Sequence, residues 1–394
     1  MFDTLTQCEP DAIIALMQVA KADTNPNKID LGVGVYKTDD GATPIMRAVK
    51  QAEALYHHEE ITKSYVSTSG NMEFRRLMTD LILGDNHPAG DRIATAQGVG
   101  GSGALRLCVE VIKAASPQAT VWVSTPTWAN HIPMLESVGL GLASYPYYNK
   151  ETLSVDFDAM MDTVSTGARS GDVILLHGCC HNPSGADLTH EQWDTVTDLM
   201  ADRGLVPFID LAYAGLGHGL ETDLYGLRKV VATLPNVLSG ISCSKNFAVY
   251  KERVGMALIL AETPEQADIV QSELGLVQRR LVSMPPDHGA ALVARILGDR
   301  DLRQMWADEL DEMQTRISDL RVTLSEALNV QGGEVIARAV REQNGMFSML
   351  GLSKDQVRAL RKKSIYMTDS ARINIAGANL KTIPQFADAI LEVL

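Results

Sequence analysis

Four short stretches hold residues that could do chemistry. In Gly240-Ile-Ser-Cys-Ser-Lys-Asn-Phe247 a lone lysine, Lys245, follows the apolar run Val237–Ser242 and stands among small polar residues. An amine at a buried strand end can attack a carbonyl carbon, although a lysine snorkelling to solvent explains it equally well in isolation. In Phe208-Ile-Asp-Leu-Ala-Tyr213, Asp210 ends another apolar run and Tyr213 follows three residues later. A carboxylate in such a place is most often a helix cap or a loop charge. The stretch QGVGGSGAL sets Gly98, Gly100, Gly101, Ser102 and Gly103 ahead of a helical pattern, where backbone N–H groups and the helix dipole can hold a phosphate. Arg253, in Lys251-Glu-Arg-Val-Gly255, offers a planar fork that can meet two phosphate oxygens at once.

These residues need elements to hold them. From about residue 45 to 300, short apolar runs alternate with amphipathic stretches. RIATAQ, ATVWVS, GDVILLHG, LVPFIDLA, VLSGIS and GMALILA are the expected strands, with helices over Ala104–Ala115, Glu191–Arg203 and Leu224–Thr233 between them. Such alternation implies an α/β fold with a largely parallel, buried sheet. Beyond Asp299 a helical period runs for more than 25 residues, and the remainder, with MFSMLGL and ARINIAG as strands, reads as a smaller α+β unit. Ligands of open α/β sheets collect beyond the carboxyl ends of the strands. Gly98–Gly103, Thr125–His131, His177–Gly185, Asp210–Tyr213 and Ser242–Lys245 should therefore converge.

The bulk composition bounds the answer. The 394 residues include 35 Lys and Arg against 49 Asp and Glu, a net charge of −14, which argues against nucleic acid or an anionic membrane as partner. No apolar run approaches the roughly 18–20 residues of a membrane span, and the N-terminus lacks a signal-peptide pattern. Five cysteines, two of them adjacent at 179 and 180, suit reduced thiols and a cytoplasmic location, and none is spaced for a metal.

Gly98, Gly100 and Gly103 also fit the dinucleotide pattern of a nicotinamide-dependent oxidoreductase. That reading requires an acidic residue about 20 positions on, where VWVSTPTW has none. A silent binding protein on the same scaffold is a further rival. HGCCHNPSG holds His177, His181 and Asn182 in a turn, and Trp128 and His131 in TPTWANH suit either core or rim. None of these parts is specific alone. Together, an amine at a strand end, an acidic partner for a ring nitrogen and a phosphate cradle are what pyridoxal phosphate requires.

The chain resembles the aspartate and aromatic aminotransferases of the class I, fold type I pyridoxal-phosphate family, nearly end to end. The matching stretches are IDLGVGVYK, TKSY, GGSGALR, PTWANH, HGCCHNPSG, IDLAY, SCSKNF, ERVG, PPDHG, NGMFS and ARINIAG. The resemblance implies a large cofactor-binding domain over 43–311, a small domain from 13–42 and 312–394, and an N-terminal arm over 1–12. It implies pyridoxal 5'-phosphate carried covalently by Lys245, which also moves the substrate proton. Asp210 would pair with the pyridinium nitrogen, Tyr213 and Asn182 with the ring oxygen, and Trp128 with the ring face. His177 would support Asp210 or the ring. Gly101, Ser102, Ser242 and Arg253 would hold the phosphate. Arg372, assisted by Gly34 and Asn182, would grip the substrate α-carboxylate, and Arg279, placed by counting back from Pro285-Pro286, the distal carboxylate. Arg279 and Tyr65 would reach the site from the other subunit of a homodimer.

Departures from the family pattern bear on the substrate. Val282-Ser283-Met284 stands where aspartate-specialised relatives carry Tyr-Ser-Asn, and Ala214, Leu216 and Ala248 are likewise unusual. A pocket made more apolar near the distal-carboxylate position accepts aromatic side chains beside dicarboxylic acids. The expected reaction is ping-pong transfer of an amino group from aspartate or an aromatic amino acid to 2-oxoglutarate or another short 2-oxo acid.

Overall fold

A computed structural model describes residues 1–8, 11–85 and 87–394. Its centre is a seven-stranded sheet of β1 (Ile93–Val99), β2 (Thr120–Thr125), β3 (Gly141–Pro146), β4 (Val173–His177), β5 (Val206–Leu211), β6 (Val237–Ser242) and β7 (Val254–Leu260). The spatial order is β1-β7-β6-β5-β4-β2-β3. Five neighbouring strands, β6 through β3, run parallel, while β7 runs antiparallel to both of its neighbours. Every residue of β4, β6 and β7 is buried, as strands covered by helices on both faces must be.

The strand runs seen in the sequence fall where expected, and two features differ. The edge strand β3, GLASYP, went unrecognised because glycine and proline at its ends read as turn residues. Helix α1 begins at Gly100 rather than at Ala104 and runs to Ala115. Glycine is a poor helix former, by about 1 kcal/mol relative to alanine, yet tertiary packing overrides propensity here. A Cβ on Gly98 of β1 would lie 2.7 Å from Ala104 Cα, so a bare backbone lets α1 lie against the strand. Helices α2 (His190–Arg203) and α3 (Tyr225–Thr233) fill the crossovers; a capping box of Thr189 and Gln192 starts α2 and a left-handed Gly204 ends it.

The long helix α4 (Arg300–Leu328) is stopped at its start by Asp299, whose carboxylate accepts from the Asp301 and Leu302 backbone N–H groups. Leu302, Trp306, Leu310, Met313, Ile317, Leu320, Leu324 and Leu328 recur every three or four residues and form its buried face. Trp306 stacks on Phe247 with ring centroids 4.6 Å apart, and its indole N–H donates to the Asn246 carbonyl at 2.8 Å. The helix thereby fixes the two residues that follow Lys245. Away from the main sheet, Ile29–Asp30 pairs in parallel with Ile365–Tyr366, and Phe347–Met349 pairs antiparallel with Arg372–Asn374. Among the described residues no helix is long and apolar enough to cross a membrane.

Candidate active site

Parallel strands deliver their last residues to one edge of the sheet. His177, Asp210 and Gly240 are successive register partners on β4, β5 and β6, and Ser242 at the end of β6 pairs with Gly255. Because β7 is antiparallel, it enters where the others leave: Val254 pairs with Val99 at the end of β1. Arg253 therefore arrives at the same edge from the opposite chain direction. Asp210, Ser242 and Arg253 line a cavity of about 450 Å³ together with Gly101, Ser102, Trp128, Asn182, Tyr213, Ser244 and Lys245. It includes all four of the stretches whose chemistry was recognisable in the sequence.

The Lys245 ammonium sits over the Tyr213 ring, 4.8 Å from its centroid. Burial lowers its pKa to about 8; the charge of Asp210 opposes the shift and that of Arg253 adds to it. Asp210 is itself buried, which alone would raise its carboxyl, but the hydrogen bond from His131 and the neighbouring charges hold it below the ordinary carboxylate range. His131 Nε2 lies 3.0 Å from Asp210 Oδ2 and Nδ1 lies 2.7 Å from the Thr127 hydroxyl. A carboxylate only accepts, so Nε2 carries a proton and donates it to Asp210.

The direct hydrogen bond to Asp210 therefore comes from His131, and His177 stands behind it. His177 lines up with Asp210 in the sheet, but its Nε2 reaches Thr127 Oγ1 at 3.3 Å and its ring packs edge-on against His131 at 5.2 Å. Its hydrogen-bond path to the carboxylate runs through Thr127 and His131. Burial, and after it the charge of His131, lowers His177 to about 3, so it stays neutral at physiological pH. His131 was noticed in the sequence only as a core or rim residue; its position one turn after Trp128, at the start of the helix His131–Glu136, could have pointed to it.

The other end of the cavity suits an anion. Val99 precedes α1 and offers no side-chain cap, so the first-turn N–H groups have no hydroxyl or carboxylate of the chain on them. A Cβ on Gly101 would stand 2.8 Å from Ser242 Cβ, so only glycine keeps this cradle open. Gly100 has φ +67° and donates its N–H to the Arg253 carbonyl at 2.8 Å. The Arg253 guanidinium is steadied by the Tyr250 carbonyl at 3.0 Å and the Ser244 hydroxyl at 3.5 Å. Uncapped amides, serine hydroxyls and a guanidinium fit a phosphate, and a reactive amine and an ionised carboxylate in the same cavity fit the rest of pyridoxal phosphate.

A second cation borders the site. Arg372 is buried over the Phe347 ring at 4.4 Å and donates to the Gly32 carbonyl at 2.9 Å. Its Nη1 is 3.4 Å from Asn182 Oδ1, and Asn182 Nδ2 is 3.4 Å from the Tyr213 hydroxyl, so Asn182 bridges the two. Among the described residues the Arg372 Nε has no hydrogen-bond partner. Such an unsatisfied buried donor has capacity left for an incoming carboxylate. Gly34 packs beside the same ring: a Cβ there would lie 2.8 Å from Phe347 Cζ. Tyr65 and Arg279 do not enter the cavity of their own chain. Tyr65 is 92% exposed, and Arg279 is exposed at a helix end with its Nη1 on the Ser283 hydroxyl.

The electrostatics predict a titration. Acylation of Lys245 in the cofactor-free protein, followed against pH by peptide mass spectrometry, should show a midpoint near pH 8. Asp210→Asn removes the charge that stabilises the ammonium and should lower the midpoint. Arg253→Leu removes a repelling charge and should raise it. A midpoint near the ordinary lysine value of about 10.4, indifferent to both substitutions, would contradict the geometry.

Comparison with known proteins agrees with the site. Residues 26–390 match the family model described as aminotransferase class I and II. The chain is 43% identical, over the full length of both proteins, to an aromatic-amino-acid aminotransferase of Paracoccus denitrificans. It is 41% identical, again over both full lengths, to an aspartate aminotransferase of Haemophilus influenzae. Among solved structures, an aromatic-amino-acid aminotransferase of Burkholderia pseudomallei covalently bound to pyridoxal phosphate superposes with a TM-score of 0.96 at 38% identity, covering 100% of this chain and 99% of that one. With its family model spanning residues 26–390 and relatives about 40% identical over the full length, the chain belongs to the class I and II aminotransferases.

Proposed function

We propose that this aminotransferase takes aspartate and aromatic amino acids as amino donors, and 2-oxoglutarate or another short 2-oxo acid as acceptor, in a ping-pong reaction. The observation that carries the reading is the buried Lys245 amine, brought to about 8 beside an Asp210 held ionised by His131. Relatives of about equal similarity are named for aspartate and for aromatic amino acids, which supports the mixed range.

Pyridoxal 5'-phosphate, when bound, supplies a carbonyl carbon that bonds to amines and a protonated ring that takes up the electron pair left when the Cα proton departs. Lys245 would hold the cofactor covalently, and its amine, once free, would take up the proton that leaves the substrate Cα. A pKa near 8 suits it to both tasks at neutral pH. Asp210 would keep the ring nitrogen protonated, which requires the carboxylate to remain charged in a buried place. Tyr213 and Asn182 would donate to the ring oxygen, and Trp128 would pack against the ring. Gly101, Ser102, Ser242 and Arg253 would hold the phosphate. Arg372, with Asn182 and the Gly34 backbone, clamps the α-carboxylate and so aims the Cα–H bond.

Tyr65 and Arg279 serve the site of a second subunit in a homodimer, supported by their exposure here and by the apolar side chains exposed beside them, Ile61, Leu276, Leu281 and Val282. Arg279 then meets the distal carboxylate, and Val282 and Met284 give aromatic side chains an apolar wall. The division into a domain of residues 43–311 and one of residues 13–42 and 312–394, with residues 1–12 as an arm, belongs to the same reading. It is supported by the pairing of Ile29–Asp30 with Ile365–Tyr366. Five free cysteines suit a reducing cytoplasm.

Two experiments test the assignment. Arg372→Ala should lower kcat/KM for every amino acid by about 2–5 kcal/mol, roughly 30-fold to several thousand-fold, with cofactor binding preserved. A loss confined to dicarboxylic substrates would reassign Arg372. Lys245→Ala and Arg279→Ala chains, each inactive or impaired toward aspartate alone, should regain roughly a quarter of native activity when refolded together at equal amounts, because half of the dimers then contain one intact site. No regain would mean that Arg279 does not act across a subunit boundary.

A further inference from the structure

Behind the segment that carries Asn182 lies a second group of reactive side chains that transamination does not use. The Sγ atoms of Cys179 and Cys180 and a carboxylate oxygen of Asp223 lie within 4.8 Å of one another, and all three residues are buried. Adjacent residues of an extended strand point to opposite faces. Here Cys180 adopts φ +50°, a conformation costly for a non-glycine residue, and the two thiols reach the same neighbourhood. Asp223 is held by its own shell: Oδ2 accepts from Gly215 N at 2.8 Å and Gly217 N at 2.9 Å, and Oδ1 from His218 N at 2.8 Å. Burial raises its carboxyl to about 6.

Cys179 and Asp223 also line a cavity of about 760 Å³, together with His218 and His190, which gives the group a path from solvent. In a tetrahedral zinc-type site, ligands at about 2.3 Å for sulfur and about 2.1 Å for oxygen stand roughly 3.5–3.8 Å apart. The present spacing closes to that with side-chain motion of about an ångström. Two soft sulfurs and one oxygen select thiophilic divalent cations over magnesium or calcium.

We propose that Cys179, Cys180 and Asp223 form a binding site for a thiophilic divalent cation of the zinc class, with the fourth position open to the cavity for water or the His218 imidazole. Binding displaces one proton from each thiol and forms two metal–sulfur bonds and one metal–oxygen bond, with no change of oxidation state. The thiols start from a high threshold: Cys179 is raised by its contact with Cys180 and by burial, while for Cys180 the contact with Cys179 lowers the thiol, but burial and the charges of Asp223 and Asp187 together push it up to about 12. A coordinated cation offsets that by its own charge. The site also touches the catalytic cavity from behind, since Cys180 Sγ donates to the Tyr213 carbonyl at 4.0 Å.

The test uses the cofactor-loaded enzyme carrying Cys8→Ser, which removes the exposed thiol, and Cd2+ as the probe after dialysis against a chelator. One Cd2+ per chain should bind with an ultraviolet thiolate-to-metal charge-transfer band. Adding Cys179→Ala should abolish the band and weaken binding by at least about tenfold. No band at saturating Cd2+, or an undiminished band in Cys179→Ala, overturns the proposal. Should that variant not fold, a Cys8→Ser crystal grown with Cd2+ decides: an anomalous peak within bonding distance of the two sulfurs and Asp223 supports it, and a peak elsewhere or none refutes it.

Discussion

A lysine amine taken out of water between a carboxylate and a guanidinium is the constraint around which this chain is built. Burial of an ammonium is unfavourable, and the equilibrium is set by which neighbour is closer in effect. Asp210 favours the charged form, while desolvation and Arg253 favour the neutral one and prevail. Neither neighbour could be supplied by a single hairpin. Asp210 comes from a parallel strand end, and Arg253 from the start of the one antiparallel strand in the sheet. Helix α4 then fixes Asn246 and Phe247 through Trp306, so that Lys245 has little freedom to swing away.

Charge on Asp210 depends on a row of neutral rings. His177 and His181 are lowered by burial first and by neighbouring histidines next, and both stay uncharged. His181 is held between Ser124 and Ser184 and stacks on Tyr147. These residues contribute shape and hydrogen bonds, leaving His131 as the single donor to the carboxylate among the described residues. The same economy appears at Arg372, where Asn182 spends both ends of its amide, one on the guanidinium and one on Tyr213, and so couples the substrate clamp to the ring-oxygen donor.

Much of this arrangement could be read in advance, and the parts that could not share a physical cause. Lys245, Asp210 and Gly98–Gly103 announced themselves because each ends or follows a continuous apolar run, and parallel topology sends run ends to one edge. The glycines also fit a dinucleotide pattern, which the missing acidic residue about 20 positions on disfavours; in the structure Gly98 serves the packing of α1 on β1, and Gly101 the anion cradle. Arg372 was recognisable only by resemblance, since a three-residue strand gives no period and the Phe347 ring beneath it comes from a distant segment. The role of His131 was hidden for a related reason: register makes His177 Asp210's neighbour in the sheet, but the hydrogen bond comes from the first residue of the helix His131–Glu136. Contacts set by chain direction and by loops are not encoded in local periodicity.

The central claim is that Lys245, and no other lysine, bears the cofactor. Reduction of the freshly purified enzyme with borohydride, followed by digestion and mass spectrometry, tests it directly. The account predicts the pyridoxyl phosphate mass on the peptide containing Ser244-Lys245-Asn246 and on none of the others. A label on a different lysine, or reduced protein with no label after saturation with pyridoxal 5'-phosphate, would contradict it.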